Sequence, residues 1–526
     1  MRAVRQPVAR QGSRGSLSAV ASGVGWRWVI LGLAGTSVLA AVSPPLLTGF
    51  DGPAVSWWYD LAVPGGNGSW NTVAAYAGIS ALLVSWVMVG RRLHRGTGSV
   101  RVLWLPAVAW TAPLLVGPPL FSRDIYSYLS QATLTDLHLS PYTHVAAALA
   151  GTRARAVLSA VSPAWRHTPS PYGPLFLWLG SALVDVAGHG VIAGVLAMRL
   201  PALLGLVLMA VFVPRLARSH GADPRRALWL AVLSPLVLFE LIAAGHNDAL
   251  MVGLMMAGLA LATEDHPVMG VALCAVAAMV KLPALVGCVA IAVAWARSGP
   301  SRSSAARSVA VSALASVATI AGVSAATGLG FGWLSPTVLL TPARGSIEVT
   351  PATAIGDSIA GAAHLMGVSL AAKPTVTGVW VVTLLAAAVI SGLVVLRCRM
   401  EGLAAAVATV MIAVVLAGPA MWPWYLTWGF TLLAVIPGAQ WSRTVQLATV
   451  AGCLVLAPTG QINIPSTEGP YVAAGWLILA GVAFARMTAA RRSRIPDSYT
   501  PPLLPHPDTG VGVAVATSPA DQGALG

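Results

Sequence analysis

The sequence predicts an all-α polytopic membrane protein, and its composition and the length of its apolar runs are the observations behind this prediction. Of the 526 residues, 56% are hydrophobic and only 9% are charged, whereas charged residues make up about 25% of a soluble domain. Apolar runs of about 20 residues, the length that crosses a bilayer as a helix, recur along most of the chain. Helices are expected because backbone polar groups inside lipid have to be satisfied within their own segment.

The net charge of +14 does not indicate a nucleic-acid-binding protein, because the basic residues stand in short stretches between the apolar runs. The positive-inside rule places such stretches in the cytoplasm. The arginines of the first 14 residues put the N-terminus inside, and RRLHRGTGSVR (91–101) and RSGPSRSSAAR (297–307) mark inner loops. The pattern predicts about 14 spans in the plasma membrane, with both termini cytoplasmic.

These patterns divide the chain into a basic cytoplasmic segment at 1–25, a multi-span membrane domain at 26–488 and a disordered cytoplasmic tail at 489–526. Two large outer loops are expected at about 120–192 and 329–375. The spans are expected at about 26–47, 72–90, 102–119, 193–213, 227–243, 249–263, 268–281, 283–296, 308–328, 376–396, 402–418, 422–437, 444–458 and 471–488.

The first outer loop contains two apolar segments that are not expected to span. A helix after Ser122 is predicted to lie in the membrane interface, because its apolar residues fall near one face. These residues are Ile125, Leu129, Ala132 and Leu137. The run from Leu175 to Val186 is short, and a span there would put the arginines of 214–226 outside. It is therefore predicted to be a re-entrant or juxtamembrane helix.

The stretch FSRDIYSYLSQ (121–131) carries the principal catalytic candidate. Asp124 follows Arg123 at the predicted outer mouth of the bundle, with Tyr126 and Tyr128 on the next turn. Helix capping explains the acid without function, because a serine precedes it and a first-turn carboxylate complements the helix dipole. Capping requires neither the arginine nor the tyrosines, and an acid at the lip of an intramembrane cavity is a candidate functional residue.

GHND (245–248) joins two predicted spans with almost no loop. One interpretation is that the glycine ends a helix while Asn247 or Asp248 caps the next. The other is that His246, Asn247 and Asp248 line the outer cavity and contact sugar hydroxyls, a phosphate or a metal. One histidine and one aspartate are too few ligands for a metal site, so none is assigned and dependence on a divalent metal stays open.

Three basic residues on the outer side are candidate phosphate ligands. Lys281 ends a predicted span just before Pro283, where snorkelling to the interface is the alternative explanation. Arg199 enters a span, and Arg344 lies in the second outer loop.

Aromatic residues stand beside prolines in TPSPYGP (168–174) and GPAMWPWYLTW (418–428). Interfacial aromatic belts explain most such residues. Trp422, Trp424 and Tyr425 fall within one turn, however, so these rings are predicted to stack on sugars. No P-loop, dinucleotide fingerprint or G-x-S-x-G elbow occurs, and a soluble nucleotide-binding domain is therefore not expected.

SRDIYSY, SPYGPLF, GHNDALMVGL and the WPWY segment follow one another between about Phe121 and Tyr425. In this order they resemble the GT-C glycosyltransferases, and in more detail the actinobacterial polyprenol-phosphomannose-dependent α-1,6-mannosyltransferases. The resemblance implies a GT-C-type bundle and transfer of mannose from polyprenyl phosphomannose to a lipid-anchored α-1,6-mannan at the outer membrane face. A β-linked donor and an α-linked product imply inversion by single displacement.

The resemblance also assigns roles to the candidate residues. Asp124 would be the general base that deprotonates the acceptor hydroxyl. The wider superfamily often carries a second acid near this position, and its absence here leaves a metal requirement open. Cations would stabilise the leaving polyprenyl phosphate, while tyrosines and the late aromatics would orient sugars and membrane lipids would surround the bundle. The cations are Arg123, Lys281 or Arg344, and the tyrosines are Tyr126, Tyr128 and Tyr172.

Two other functions remain as alternatives. A transporter or flippase of a lipid-linked saccharide is expected to carry charged residues deep within spans, where Glu240 and Asp185 are the main cases. A scaffold for other membrane enzymes would tolerate the loss of Asp124 and Asp248. The scarcity of such intramembrane charges favours the enzyme.

Overall fold

A computed structural model describes residues 24–42, 68–95, 99–339, 341, 350–460, 472 and 475. The helices reported below belong to the compact unit that extends to Ala473. The predicted tail, Arg344, nearly all of the N-terminal segment and nearly all of the span at 471–488 fall outside the described residues.

Every regular element among the described residues is a helix. The first ten are α1 (Trp26–Val42), α2 (Gly68–Arg95), α3 (Trp104–Val116), α4 (Asp124–Asp136), α5 (Arg155–Ala160), α6 (Pro174–Ala187), α7 (Val191–Ser219), α8 (Pro224–Ala231), α9 (Pro235–Ala243) and α10 (Asp248–Thr263). They are followed by α11 (Pro267–Ala278), α12 (Leu285–Ser298), α13 (Arg302–Ala326), α14 (Pro336–Leu339), α15 (Pro351–Leu365), α16 (Ala372–Leu396), α17 (Leu403–Ala417), α18 (Pro423–Leu433) and α19 (Arg443–Val455). Short 3₁₀ turns connect several of these helices.

Within this part of the chain, five helices are long and apolar enough to cross a membrane, and α8 with α9 make a sixth if they form one bent span. The five are Trp70–His94, Val191–Ser219, Arg302–Ala326, Ala372–Leu396 and Met400–Ala417. Shorter apolar helices of 10–17 residues accompany them. The prediction of an all-helical polytopic membrane protein is thus confirmed, while the number of 14 spans stays a prediction.

The segment predicted to span at 227–243 is a bent pair of helices, and its crossing of the membrane stays a prediction. The chain breaks between α8 and α9 and bends there by 41°, because Pro235 cannot donate the backbone hydrogen bond that a continuing helix needs. From Leu238 to Ala243 the segment is wound as a π-helix, a conformation that is rare and often accompanies functional sites. This segment leads directly into Gly245 and the GHND turn.

The helix after Ser122 differs from the amphipathic interfacial helix that was expected. α4 is buried on several faces against α6 and α7, and two of its buried hydroxyl groups donate to its own backbone. Ser130 Oγ donates to the Ser127 carbonyl at 2.8 Å, and Thr133 Oγ1 donates to the Leu129 carbonyl. The helical segment from 174 to 187 agrees with the prediction of a short helix.

Small residues allow α7 and α10 to approach each other closely. A Cβ built on Gly205 would lie 2.1 Å from the Ala249 carbonyl carbon, and one on Gly253 would lie 2.5 Å from the Gly205 carbonyl oxygen. Interfaces of membrane helices are enriched in small residues for this reason. The contact fixes the N-terminal end of α10, where Asp248 stands.

Arg199 is a structural residue and not the phosphate ligand that its position suggested. Its side chain is buried within the bundle and donates to three carbonyl oxygens, those of Leu115, Gly117 and Ala243. These carbonyls lie at the C-terminal ends of α3 and α9, where helices leave backbone acceptors unpaired. Arg199 therefore joins three segments of the bundle.

Candidate functional site

A cavity of about 420 Å³ brings together segments that are far apart in the sequence. α4, the 165–173 turn, the Lys281 turn, the 333–341 segment and helices α16 to α18 all contribute to its wall. Its size lies within the usual range of small-ligand sites. The polar and aromatic lining residues include Asp124, Ser127, Gln131, Thr168, Lys281, Thr341, Trp165, Tyr172, Trp333, Trp422, Trp424, Tyr425 and Trp428.

Asp124 begins α4 and presents a carboxylate to this cavity. The Asp124 backbone N–H donates to Ser122 Oγ at 3.1 Å, but the N-cap position of α4 is Arg123, whose side chain makes no capping bond, so the predicted N-cap at Ser122 is wrong by one residue. Burial raises the pKa of Asp124 to about 6, and the nearby positive charge of Lys281 and a hydrogen bond from Trp165 oppose this shift. A carboxyl group of this pKa is largely ionised at neutral pH and is a better base than an exposed aspartate.

The backbone before Asp124 is sharply turned. Phe121 has a φ of +65°, which is unusual for a bulky side chain. Two contacts hold it there, namely its N–H donating to the Pro458 carbonyl at 3.0 Å and its ring stacking on Phe239 at 4.9 Å. Residues in rare backbone regions concentrate at functional sites, and here the turn immediately precedes the cavity.

Lys281 lies in the turn between α11 and α12 and faces the same cavity. Its ammonium donates to both carboxylate oxygens of Asp248, at 2.8 and 2.9 Å. The rings of Tyr425, Trp428 and Tyr172 surround the Nζ atom at 4.7, 5.3 and 5.7 Å. Cation–π attraction adds to the ion pair, so the ammonium is held in one place on the wall.

Asp248 does not line the cavity as the sequence suggested. Its side chain is 0% exposed, whereas that of Lys281 is 12% exposed, so the lysine separates the carboxylate from the cavity. Trp428 Nε1 donates a further hydrogen bond to Asp248 Oδ1. The side chain of Asn247, at the N-cap position, makes no capping bond, and the helix-capping interpretation of this turn is therefore wrong for Asn247.

The YGP turn is docked on the backbone that leads to Lys281. The N–H of Gly173 donates to the Val280 carbonyl at 3.0 Å, and the N–H of Leu175 donates to the Met279 carbonyl at 3.1 Å. A Cβ on Gly173 would lie 2.1 Å from the Met279 carbonyl oxygen, so only glycine fits. This docking places Tyr172 beside the ammonium of Lys281.

The aromatic residues of the WPWY segment form one side of the cavity. The rings of Trp422 and Trp424 are stacked at 5.0 Å with an interplanar angle of 9°, and Tyr425 packs edge-on against Trp424. Pro423 starts α18, and its fixed φ suits the first turn of a helix. Flat aromatic surfaces next to polar groups are what the predicted sugar site requires.

His246 and Asn247 lie behind this aromatic side and are fully buried. The His246 ring packs against Trp424 at 4.0 Å and against Tyr128 at 6.2 Å. Within the described part of the chain, neither the ring nitrogens of His246 nor the amide atoms of Asn247 have a hydrogen-bond partner. Their prediction as substrate ligands stays untested.

Among the described residues, the remaining predicted site residues, Arg123, Tyr126 and Tyr128, do not line the cavity. Tyr126 and Tyr128 are buried in the core, where Tyr128 packs edge-on against Tyr172 at 5.1 Å. Arg123 stands at the start of α4 outside the lining set, and Arg344 lies outside the described residues. In place of the two tyrosines of α4, its Ser127 and Gln131 face the cavity.

Three tryptophans that line the cavity were missed from the sequence, and one of them, Trp333, lies in a short 3₁₀ turn. Trp428 lies one helical turn after Trp424, so an (i, i+4) search within the predicted aromatic segment would have found it. Trp165 lies in a short 3₁₀ turn with no periodic pattern, and the sequence offers no comparable signal for it. Among the described residues no cluster of three His, Cys, Asp or Glu side chains suits a metal ion.

Comparisons with known proteins agree with this architecture. The family described as alpha-(1->6)-mannopyranosyltransferase, N-terminal domain, matches residues 25–297, and the MptB C-terminal domain matches residues 352–489. An alpha-(1->6)-mannopyranosyltransferase A of Mycobacterium tuberculosis is 35% identical over 73% of this chain and 73% of its own length. A probable alpha-(1->6)-mannopyranosyltransferase of Mycolicibacterium smegmatis is 33% identical over 78% of this chain and 77% of its own length.

A third relative, alpha-(1->6)-mannopyranosyltransferase A of Corynebacterium glutamicum, is 38% identical over 43% of this chain and 47% of its own length. No solved structure matches the chain significantly. The family matches cover both the segment that carries Asp124 and Lys281 and the segment that carries the late aromatics. The chain therefore belongs to the alpha-(1->6)-mannopyranosyltransferase family.

Proposed function

We propose that this protein transfers mannose from polyprenyl phosphomannose to a lipid-anchored α-1,6-mannan at the outer face of the plasma membrane. The observation that carries the proposal is that a carboxylate, Asp124, and an ammonium, Lys281, line one cavity together with stacked tryptophans. Such a set supplies a base, a counter-charge and a sugar platform. The names of the relatives supply the sugar and the linkage.

Asp124 is the proposed general base. A sugar hydroxyl is a poor nucleophile, and a carboxylate within hydrogen-bonding reach removes its proton as it attacks the anomeric carbon. In a single displacement the new C–O bond forms on the face opposite the leaving phosphate, so a β-linked donor gives an α-linked product. The proton then resides on Asp124 and returns to solvent.

Lys281 is the proposed partner of the donor phosphate. When the glycosidic C–O bond breaks, its electrons remain on the phosphate oxygen and the phosphate gains negative charge. A cation in a partly desolvated wall stabilises this charge more strongly than it would in water. No other lysine or arginine lines the cavity among the described residues.

The apolar part of the cavity suits the prenyl chain of the donor. Aliphatic side chains from the Lys281 turn, the 338–339 segment, α16 and α17 form this part. They are Leu282, Val338, Leu339, Leu384, Val414 and Val415. α16 is largely exposed along its length and is long and apolar enough to cross a membrane. A prenyl chain that leaves the cavity on this side would therefore enter the lipid.

A lipid-linked saccharide flippase is the alternative function, and Glu240 is the observation that favours it. Its carboxyl group is fully buried in the π-helical segment and has no hydrogen-bond partner among the described residues. Glu240 does not line the cavity, however, and Asp185, the other predicted intramembrane acid, is exposed. The enzyme therefore accounts for more of the site.

The test uses the purified full-length protein in proteoliposomes with polyprenyl phosphomannose and a short α-1,6-mannoside. The enzyme proposal predicts one added mannose in α-1,6 linkage, and no product when the acceptor is omitted. Movement of the lipid-linked sugar between leaflets without acceptor, combined with no transfer, would establish the flippase instead. Transfer with retention of the β configuration would contradict single displacement.

A further inference from the structure

We infer that Asp248 and Trp428 are positioning residues, which hold the ammonium of Lys281 so that one N–H remains directed at a phosphoryl oxygen of a bound lipid phosphate. The inference rests on the proposed function, because it concerns the cation assigned there to the phosphate. Asp248 is separated from the cavity by Lys281, whereas the ring of Trp428 also lines the cavity. Both act through Lys281.

The hydrogen-bond donors of the Lys281 ammonium are not all used by the described residues. A lysine ammonium has three N–H groups and no acceptor. Two contacts go to Asp248 Oδ1 and Oδ2 at 2.8 and 2.9 Å, and no further hydrogen bond from Nζ occurs within the described residues. The side chain lines the cavity, so one donor is left for a ligand there.

The surroundings of the ammonium limit where a ligand can approach. Aromatic rings from α18 and from the YGP turn lie 4.7 to 5.7 Å from Nζ, and the fully buried carboxylate closes the side away from the cavity. These groups restrict a side chain whose four-carbon stem is otherwise flexible. The open direction is therefore the cavity.

Asp248 is suited to this role because its backbone is fixed by packing and its side chain is fully buried. It starts α10, whose close packing on α7 fixes the backbone, and its exposed fraction is zero. A buried ion pair is not needed for stability, since apolar replacements are often as stable. In this ion pair only the cation reaches the cavity wall. The pair is therefore better explained by a ligand that the ammonium binds in the cavity than by stability.

Trp428 contacts both members of the pair. Its Nε1–H donates to Asp248 Oδ1, and its ring lies 5.3 Å from the Lys281 ammonium. The hydrogen bond orients the carboxylate, and the carboxylate orients the lysine. A phenylalanine at this position keeps an aromatic ring but loses the N–H, so it removes the orienting bond, and the same substitution at another buried tryptophan controls for the smaller ring.

The experiment measures binding of two probes, farnesyl phosphate and farnesol, to the full-length protein in nanodiscs by equilibrium binding of tritiated ligand. The ratio of the two dissociation constants is the phosphate preference, and it requires no turnover. The variants are Lys281→Met, Asp248→Asn, Asp248→Glu and Trp428→Phe. Trp110→Phe is the matched control, because Trp110 Nε1 also donates a buried hydrogen bond, to the Val29 carbonyl, but lies away from the cavity.

We expect Lys281→Met to lower the phosphate preference by about 10- to 100-fold, which corresponds to the loss of one charge-assisted hydrogen bond. Asp248→Asn and Trp428→Phe should lower it by roughly 3- to 10-fold, since the ratio cancels any change of prenyl binding that the two probes share. Asp248→Glu should restore part of the loss, and Trp110→Phe should match the wild type. If Asp248→Asn does not fold, Trp428→Phe and Asp248→Glu decide the question.

The outcomes separate this inference from the proposed function. If Lys281→Met loses the preference while Asp248→Asn and Trp428→Phe keep or increase it, the two residues do not position the lysine and the inference is overturned. If Lys281→Met itself keeps the preference, the phosphate assignment of the proposed function fails. A loss of preference in all three variants, each still folded at the temperature of the binding measurement, supports both.

Discussion

The indole of Trp165 lies beside the carboxylate of Asp124 in the cavity wall, and the hydrogen bond that this indole can offer lowers the pKa of the acid against the effect of burial. The two residues come from different parts of the chain, a 3₁₀ turn and the first residue of α4. A hydrogen bond of this kind stabilises the ionised form of the acid. The position of Trp165, which sequence patterns do not reveal, therefore influences the pKa of the proposed base.

The activity should therefore decline at acidic pH. Because burial raises the pKa of Asp124 to about 6, the base is ionised above this pH and protonated below it. One pH unit below the pKa about a tenth of the molecules carry the ionised base, and kcat/KM should fall accordingly. In Trp165→Phe the ionised form loses a hydrogen bond, so the pKa of Asp124 rises and the acidic limb should move to higher pH. A kcat/KM profile that is flat down to pH 4.5, or unmoved in the variant, would contradict this assignment.

Gly173→Ala should damage the site through the backbone. The added methyl group would meet the Met279 carbonyl, so the YGP turn has to move away from the Lys281 turn. Overpacking of this kind costs about 1–3 kcal/mol, and the displacement of Tyr172 should lower turnover as well. Thermal unfolding and transfer rates measure the two effects. Gly190→Ala is the control, because its Cβ meets nothing within 4 Å; equal effects in both variants would show that the docked turn is unimportant.

Lys281→Met should reduce turnover by about 100-fold or more, the size of effect seen when one stabilising group is removed from a transition state. The same change leaves Asp248 buried without its counter-charge, which costs about 3–5 kcal/mol of stability. The double variant Lys281→Met/Asp248→Asn should regain much of the stability but none of the turnover. Lys373→Met is a suitable control, since Lys373 is exposed at the start of α16. Recovery of turnover in the double variant would argue against a catalytic cation.

Trp422→Ala should weaken substrate binding more than it affects the chemical step. The ring lines the cavity and stacks on Trp424, and the loss of an aromatic contact is worth about 0.5–1.5 kcal/mol beyond the buried area. We expect KM for donor or acceptor to rise roughly 5- to 10-fold, with kcat changed by less. The exposed Trp104 of α3 provides a control for loss of an exposed aromatic ring outside the cavity. A variant with unchanged KM and reduced kcat would place Trp422 elsewhere in the mechanism.

Sequence patterns foresaw the parts of this site that depend on local signals. The Asp124 helix, the YGP turn, the Lys281 turn and the WPWY segment each carry a proline, a charge or an aromatic cluster that stands out in an apolar chain. The membrane class follows from composition alone. The joining of these segments around one cavity was inferred from the family resemblance and from topology.

The partners across the bundle could not be foreseen, because they depend on contacts between distant segments. The carboxylate of Asp248 meets a lysine 33 residues away and an indole 180 residues away, so its role as a buried counter-ion is invisible in the GHND motif. Arg199 likewise looked like an outer cation but binds backbone carbonyls of two other helices. The burial of Tyr126 and Tyr128 depends on how α4 packs against α6 and α7. The helical spacing of apolar residues in the sequence did not reveal this packing.

The central claim is that Asp124 is the base of a mannosyl transfer, and the most direct measurement compares Asp124→Asn with wild type in membranes of equal protein content. The substrates are labelled polyprenyl phosphomannose and a short α-1,6-mannoside. Asp136→Asn, at the other end of α4, is the matched control, because Asp136 pairs with His189 at 2.9 Å and does not line the cavity. The account predicts that transfer falls by at least about 100-fold in Asp124→Asn and stays near wild type in Asp136→Asn. Undiminished transfer by correctly inserted Asp124→Asn would contradict it.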